Sequence, residues 1–280
     1  MQCVYLNIPP PHTLIAITVT RAMTPSTEPL ENAPFIKVSN HNNNDPHLAQ
    51  HAGQRFAILG DFAQLLEVEL KPGQSFRSEP GSMVYMKNIK SLKIETGGFG
   101  DACLRSCCAG EDFFRVNYVN KTSELAYVGI APALPSKIIA LDLSQYPEGI
   151  IYKNGAFLGT FDLNVNFNYK TTGSVAAGCF GGQGFVLNIC KANTFTFFNA
   201  CGTIIEKYLA DGEILLVDTN AVVLMELSLK YSVKRSGGCG VCCCGGEGLF
   251  NTKLTGPGLV ILESASWNRL VQQTSEQNSA

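Results

Sequence analysis

From Phe56 onward, hydrophobic and polar side chains alternate with a period of two. Phe161, Leu163, Val165, Phe167 and Tyr169 are interleaved with Asp162, Asn164, Asn166 and Asn168. Met225, Leu227, Leu229, Tyr231 and Val233 are interleaved with Glu226, Ser228, Lys230, Ser232 and Lys234. Successive side chains of a strand point to opposite faces, so each run predicts one half-buried antiparallel strand. Leu66, Val68 and Leu70, offset by Glu67 and Glu69, begin the same way. No segment longer than about ten residues carries a helical period, and the chain is expected to be all-β.

The alternation comes in three segments that share one order of features. Each has a Gly-containing turn, a strand, a Gly/Cys-rich loop, a Gly-containing step into Phe, a second turn and a closing strand. The turns are Lys71-Pro72-Gly73, Pro147-Glu148-Gly149 and Ala210-Asp211-Gly212. Gly73, Gly149 and Gly212 precede the step residues Gly110, Gly182 and Gly246 by 37, 33 and 34 residues. The second turns, at Asn120, Ala192 and Gly256, follow those step residues by 10 each. A single copy is too short to bury its own apolar face. The expectation is therefore one domain over residues 56–266, with pseudo-threefold-related repeats at about 60–130, 138–202 and 203–266.

Residues 1–55 differ in texture, with Pro9-Pro10-Pro11, a Pro/Ser/Thr stretch and an Asn-rich run, and read as a disordered leader; residues 267–280 read as a C-terminal tail. Neither a secretory nor a mitochondrial targeting pattern fits that leader well, because Arg21 is the one basic residue before Lys37 and Glu28 and Glu31 interrupt. The location expected from sequence is cytoplasmic, with mitochondria as the alternative. All four histidines (His12, His41, His47, His51) fall within the leader. Ser-His-Asp and Cys-His catalysis, which need an imidazole, are thereby unavailable to the predicted domain, and no enzyme activity is expected.

Composition narrows the classes further. Charged residues make up 16% of the 280-residue chain and the net charge is −2, so the basic excess that holds nucleic acid is missing. The uncharged apolar runs are of strand length, well short of the roughly 18 residues of a membrane helix. Gly181-Gly182-Gln183-Gly184 has phosphate-loop composition but leads into a strand-like Phe185-Val186-Leu187, which favours a turn. Glu111 and Glu247 occupy matching places before the two Phe steps, as repeated structural acceptors would. Asn120-Lys121-Thr122 spells a glycosylation sequon inside a predicted turn and reads as turn chemistry. Trp267, with Leu270 and Val271, suits a short C-terminal helix or an intersubunit contact.

Gly245-Gly246-Glu247-Gly248-Leu249-Phe250, followed by Leu254-Thr255-Gly256-Pro257-Gly258 and a strand ending in Glu263-Ser264, resembles the C-terminal signature of the altered inheritance of mitochondria protein twenty-four family. Tyr152-Lys153-Asn154-Gly155-Ala156-Phe157-Leu158 resembles that family's central motif, and the resemblance covers about Phe56 to Ser266. It implies a fold similar to the tryptophan RNA-binding attenuation protein, double-stranded β-helix-like in character, and a homotrimer of three-repeat chains. It also implies a non-enzymatic scaffold or assembly protein linked to membrane or mitochondrial organisation, with no established catalytic residues. A likeness of fold does not carry the attenuation protein's RNA or tryptophan sites with it.

Cysteine is where this chain departs from that pattern. Cys103, Cys107, Cys108, Cys179, Cys239, Cys242, Cys243 and Cys244 all precede the Gly steps. Were the repeats related by an axis, the three loops would share one end, and eight thiolates there would suit zinc, copper(I) or an iron–sulfur cluster. The spacing is an imperfect ligand pattern, since Cys239 and Cys242 have two intervening residues whereas Cys103 and Cys107 have three. Reversible lipidation at a membrane surface is the second reading, and small apolar loop filler in a reducing compartment is the third. No cofactor is required by the filler reading. Cys190 and Cys201 lie in apolar strand context and are expected in the core. The partner classes expected are the chain itself, as a trimer, and a membrane surface.

Overall fold

A computed structural model describes residues 49–51, 53–96, 114–171, 186–235 and 250–265. Over these residues the protein is all-β, with two single-turn 3-10 segments at Leu143–Gln145 and Thr219–Ala221. No helix among the described residues is long and apolar enough to cross a membrane. Two strands lead in, β1 (Ala49–His51) and β2 (Gln54–Leu59). They are followed by β3 (Leu65–Leu70), β4 (Ser75–Ser78), β5 (Met83–Lys87), β6 (Ser91–Thr96), β7 (Phe114–Val119) and β8 (Ala126–Ile130). Next come β9 (Lys137–Asp142), β10 (Ile150–Tyr152), β11 (Phe157–Thr160), β12 (Asn166–Thr171), β13 (Val186–Lys191) and β14 (Phe195–Ala200). The last are β15 (Ile204–Leu209), β16 (Ile214–Asp218), β17 (Val222–Glu226), β18 (Lys230–Arg235), β19 (Phe250–Thr255) and β20 (Gly258–Glu263).

All pairings are antiparallel and build four sheets. Two have six strands, in the orders β6-β7-β4-β11-β14-β9 and β12-β13-β10-β17-β20-β15. The others have five, β1-β2-β3-β8-β5, and three, β16-β19-β18. Sequence-distant strands therefore meet across β4·β11 and β10·β17. Gly73, Gly149 and Gly212 all sit at positive φ (82°, 103° and 73°) where β3, β9 and β15 give way to the next strand, a conformation that glycine adopts without steric cost. In all three turns the backbone closes on itself: Gln74 N–H donates to Lys71 O at 2.9 Å, Gly149 N–H to Tyr146 O at 2.8 Å and Glu213 N–H to Ala210 O at 3.0 Å.

Four apolar clusters lie among the described residues, three of them large. The first gathers Phe56, Phe76, Phe161, Phe195 and Phe197, with ring centroids 4.7 Å apart for Phe56–Phe197 and 5.2 Å for Phe76–Phe161. The second holds Tyr152, Phe157 and Phe198 with Ile139, Leu141 and Val223. The third holds Met225, Leu229, Leu254 and Val260 with Leu209. Each fully buried side chain of this size contributes about 1.5–3 kcal/mol by leaving water, and tilted or edge-on ring pairs add about 0.5–1.5 kcal/mol.

Several expectations are corrected by the coordinates. The run from Phe161 to Tyr169 is not one strand: a turn separates β11 from β12. There Asp162 N–H donates to Thr160 Oγ1 at 3.2 Å and Asn164 N–H to Asp162 Oδ1 at 2.7 Å, so polar side chains take the bonds a ladder would use. Likewise Met225 to Val233 bends at Glu226–Leu229, where Leu229 N–H donates to Glu226 O at 3.1 Å, and splits into β17 and β18. Glu67 and Glu69 do not face solvent; both are buried, because β3 is covered on both faces. Residues 49–51, 54 and 55, placed by sequence in the leader, belong to β1 and β2, and His51 ends β1. Asn120 is buried and donates to Leu70 O and Glu124 O, each at 2.8 Å, while its Oδ1 accepts from Thr122 N–H at 2.9 Å. The sequon is thus a turn whose amide nitrogen is occupied.

Candidate functional site

The eight loop cysteines, Cys103, Cys107, Cys108, Cys179, Cys239, Cys242, Cys243 and Cys244, lie outside the described residues, as do Glu111, Glu247, Gly181–Gly184 and Trp267. The segments carrying these cysteines connect β6 to β7, β12 to β13 and β18 to β19, each an adjacent antiparallel pair. Among the described residues no three His, Cys, Asp or Glu side chains are placed to hold a metal ion. Cys190 is buried in the second cluster, as its apolar strand predicts. Cys201, half-buried, has its sulfur 3.2 Å from Ser136 Oγ.

What the structure does bring together is a set of polar contacts with buried members, some within one group of strands and some between one group and the next. Arg77 and Asn117 are opposite each other on β4 and β7, and Arg77 Nε donates to Asn117 Oδ1 at 2.9 Å. Its terminal nitrogen pairs with the Glu95 carboxylate from β6. Burial pulls the Arg77 guanidinium below its ordinary pKa; the Glu95 charge opposes that and neighbouring Arg115 adds to it. Arg115 pairs with Glu79 at 3.2 Å and lies over the rings of Phe157 and Phe167, 5.3 and 5.2 Å from their centroids. Those rings belong to β11 and β12, so this arginine clamps β7 to strands that follow about forty to fifty residues later in the chain. Cation–π contacts of this kind contribute about 0.5–2 kcal/mol, more as water is excluded.

A second group surrounds β3. Glu69 accepts from Arg55 Nη1 at 3.0 and 3.1 Å and from the Tyr127 hydroxyl at 3.4 Å, and Glu67 accepts from the Tyr85 hydroxyl. Burial first, and then the adjoining carboxylates, push both phenols above their ordinary pKa, so they stay protonated and donate. A third group crosses from β10 to β20: Lys153 pairs with Glu263, whose other oxygen accepts from Cys201 N–H at 2.8 Å. In each group the carboxylate serves as an acceptor for an identified cation, phenol or amide.

Two cavities lie beside these contacts. One, of about 330 Å³, is lined by Glu79, Ser82, Pro132, Asn154, Phe157 and Asn199. The Asn199 amide is taken, since its Nδ2 donates to Gly155 O at 3.0 Å and Ala156 O at 3.1 Å, and the Glu79 carboxylate faces Arg115. The other, of about 20 Å³, is apolar and lies among Ile151, Val223, Met225, Tyr231 and Val233; it has room for about one water molecule. Arg77, Arg115, Glu67 and Glu69 carry no local signal of these roles, and Glu263 stands out in the sequence only as the end of the C-terminal motif. Glu67 and Glu69 alternate with leucine and valine as solvent-facing residues do, and their partners stand 14 to 58 residues away.

An uncharacterized protein of Streptococcus pyogenes serotype M6 is 28% identical over 209 residues, spanning 71% of this chain and 81% of that protein. A Streptococcus pyogenes protein solved by X-ray crystallography in a structural genomics programme superposes with a TM-score of 0.63 at 25% identity, covering 80% of this chain and 99% of that one. Residues 56–265 match the family described as Mitochondrial biogenesis AIM24, in agreement with the resemblance read from the two Gly-rich motifs, and the chain belongs to that family.

Proposed function

We propose that this protein is a non-enzymatic scaffold built from three copies of one six-strand unit, similar in plan to the tryptophan RNA-binding attenuation protein, and that it works as a homotrimer. One observation carries the reading. The pairings β3·β8, β4·β7, β5·β8 and β6·β7 have counterparts in β9·β14, β10·β13, β11·β14 and β12·β13, and again in β15·β20, β16·β19, β17·β20 and β18·β19. Even the irregularities correspond: register slips between Met83 and Tyr85, between Phe157 and Gly159, and between Val222 and Leu224. Three independent topologies would not place a bulge at the same step of the same pairing.

The chemistry inside the sheets fits a structural role. Buried carboxylates are paired with arginine, lysine or tyrosine, and the tyrosines at those contacts hold their protons, which leaves no acid–base couple poised for catalysis at these positions. The family's description supports a link to mitochondrial biogenesis, and a mitochondrial site of action, at or near a membrane surface, is part of the proposal. Size-exclusion chromatography with light scattering tests the assembly, with a trimer expected; a monomer at micromolar concentration would sink it. Fluorescent imaging of the full chain beside one lacking residues 1–48 tests location, and a cytosolic signal from the full chain would remove the mitochondrial part.

A further inference from the structure

We infer that copies of this chain join edge to edge, with β5 of one copy adding antiparallel to β16 of the next. The inference rests on the three-unit reading and names the surface through which it assembles. Within the chain, the second strand of one unit pairs with the third strand of the next, twice. β4 meets β11, with Ser78 opposite Gly159 and Arg77 opposite Thr160. β10 meets β17, with Tyr152 opposite Leu224, Ile151 opposite Met225 and Ile150 opposite Glu226. Those joins produce the two six-stranded sheets. The third such join, β16 to β5, is absent among the described residues, where β16 pairs only with β19 and β5 only with β8. Placing β3-β8-β5 beside β16-β19-β18 would recreate the strand order of the complete sheets.

The side chains tell the same story. At the two completed joins the facing residues are buried: Arg77 is 5% exposed, Thr160 0%, Ile151 1% and Met225 3%. Their counterparts on the open edges are Leu216, 60% exposed, and Met86, 40% exposed. Ile214 and Val84 are also more than half exposed. Edge strands that stay single are guarded by proline, central charges or covering loops. Met83–Lys87 and Ile214–Asp218 read Met-Val-Tyr-Met-Lys and Ile-Leu-Leu-Val-Asp, with no proline and no charge before the final residue.

A second copy fits because each edge lacks what the other supplies. The two edges are different surfaces, so the contact is head-to-tail and propagates until a ring closes. Carrying over the register of the completed joins sets Met86 opposite Leu216, Lys87 opposite Leu215 and Tyr85 opposite Val217.

The test uses two full-length chains, one Met86→Cys and one Leu216→Cys, mixed, annealed and bridged with a short bis-maleimide. Native thiols are the same in every sample and set the background. A covalent dimer that appears in the mixture and in neither chain alone is the expected result. A trimer by light scattering without that cross-link would overturn the β5·β16 interface while leaving the scaffold reading standing, whereas a monomer would overturn both. A chain carrying both substitutions that bridges only within itself, at monomer mass, would show that one chain closes its own ring and refute the pairing between copies. Leu216→Lys supplies an independent readout: this exposed position keeps the monomer's circular dichroism, and the assembly's mass should fall to that of one chain. Retention of the full assembly mass by Leu216→Lys would count against the interface.

Discussion

Glu263 offers the sharpest test of how the strand groups are held together. Its buried carboxylate pairs with Lys153 and also accepts Cys201 N–H at 2.8 Å. In Glu263→Ala the amide loses its acceptor, which costs about 1–3 kcal/mol. Breaking a fully buried ion pair typically costs about 3–5 kcal/mol, but the Lys153 side chain is 27% exposed, so its share is smaller. A total of about 2–4 kcal/mol follows from these two terms. Glu263→Gln keeps an oxygen for Cys201 N–H and gives up only the charge, so it should cost about half as much. Urea unfolding of the full chain at one fixed protein concentration, followed by tryptophan and tyrosine fluorescence, reads both. If Gln proves as damaging as Ala, or both lie within about 0.5 kcal/mol of the parent, the hydrogen-bonded joint is not what holds β20 to the Lys153 turn.

Three more outcomes follow from the same coordinates. Phe197→Ala removes a ring that touches Phe56, Phe76 and Phe161 and should destabilise by about 3–5 kcal/mol in the same unfolding assay. Gly159→Ala would place a methyl 2.5 Å from the Phe76 ring and 2.8 Å from Arg77 O, at the join of β11 to β4; a loss of about 1–3 kcal/mol is expected, partly restored by Phe76→Leu in a double-mutant cycle. Tyr146 has its pKa pushed up to about 12, by burial first and by Glu226, Glu206 and other neighbours after it. Its folded pKa lies above the unfolded value near 10, so its contribution is full below pH 10 and is lost as pH rises from there to about 12. Absorbance titration should find this phenolate forming late, and Tyr146→Phe should flatten the stability loss across that alkaline window; an unchanged loss would refute the assignment.

Much of the strand content is legible because the period-two pattern of Val, Leu, Phe and Tyr satisfies only one backbone geometry, and because Gly73, Gly149 and Gly212 mark turns that need positive φ. The same pattern hides turns inside apparently continuous runs. Alternation passes unbroken from Phe161 to Tyr169, yet Thr160, Asp162 and Asn164 divert the backbone there, a choice made by side-chain hydrogen bonds that periodicity does not register. The candidate site divides along similar lines. Cys190 is core, as its apolar neighbours predict, whereas Cys201, with the same expectation, is half-buried just past β14, and the buried glutamates carry the pattern of a solvent face.

By itself, the sequence determined the all-β class, the spacing of the turns and the Gly-rich motifs that identify the family, since each depends on contacts within a few residues or on direct pattern match. Only the tertiary structure decided which strands meet across β4·β11 and β10·β17, which carboxylates are buried against Arg55, Tyr85 and Lys153, and which edges, at β5 and β16, have no neighbouring strand among the described residues. Strand pairing and ion pairing over long stretches of chain are settled by the packing of whole sheets, where the cost of an unpaired backbone or charge is set by neighbours that no local window contains.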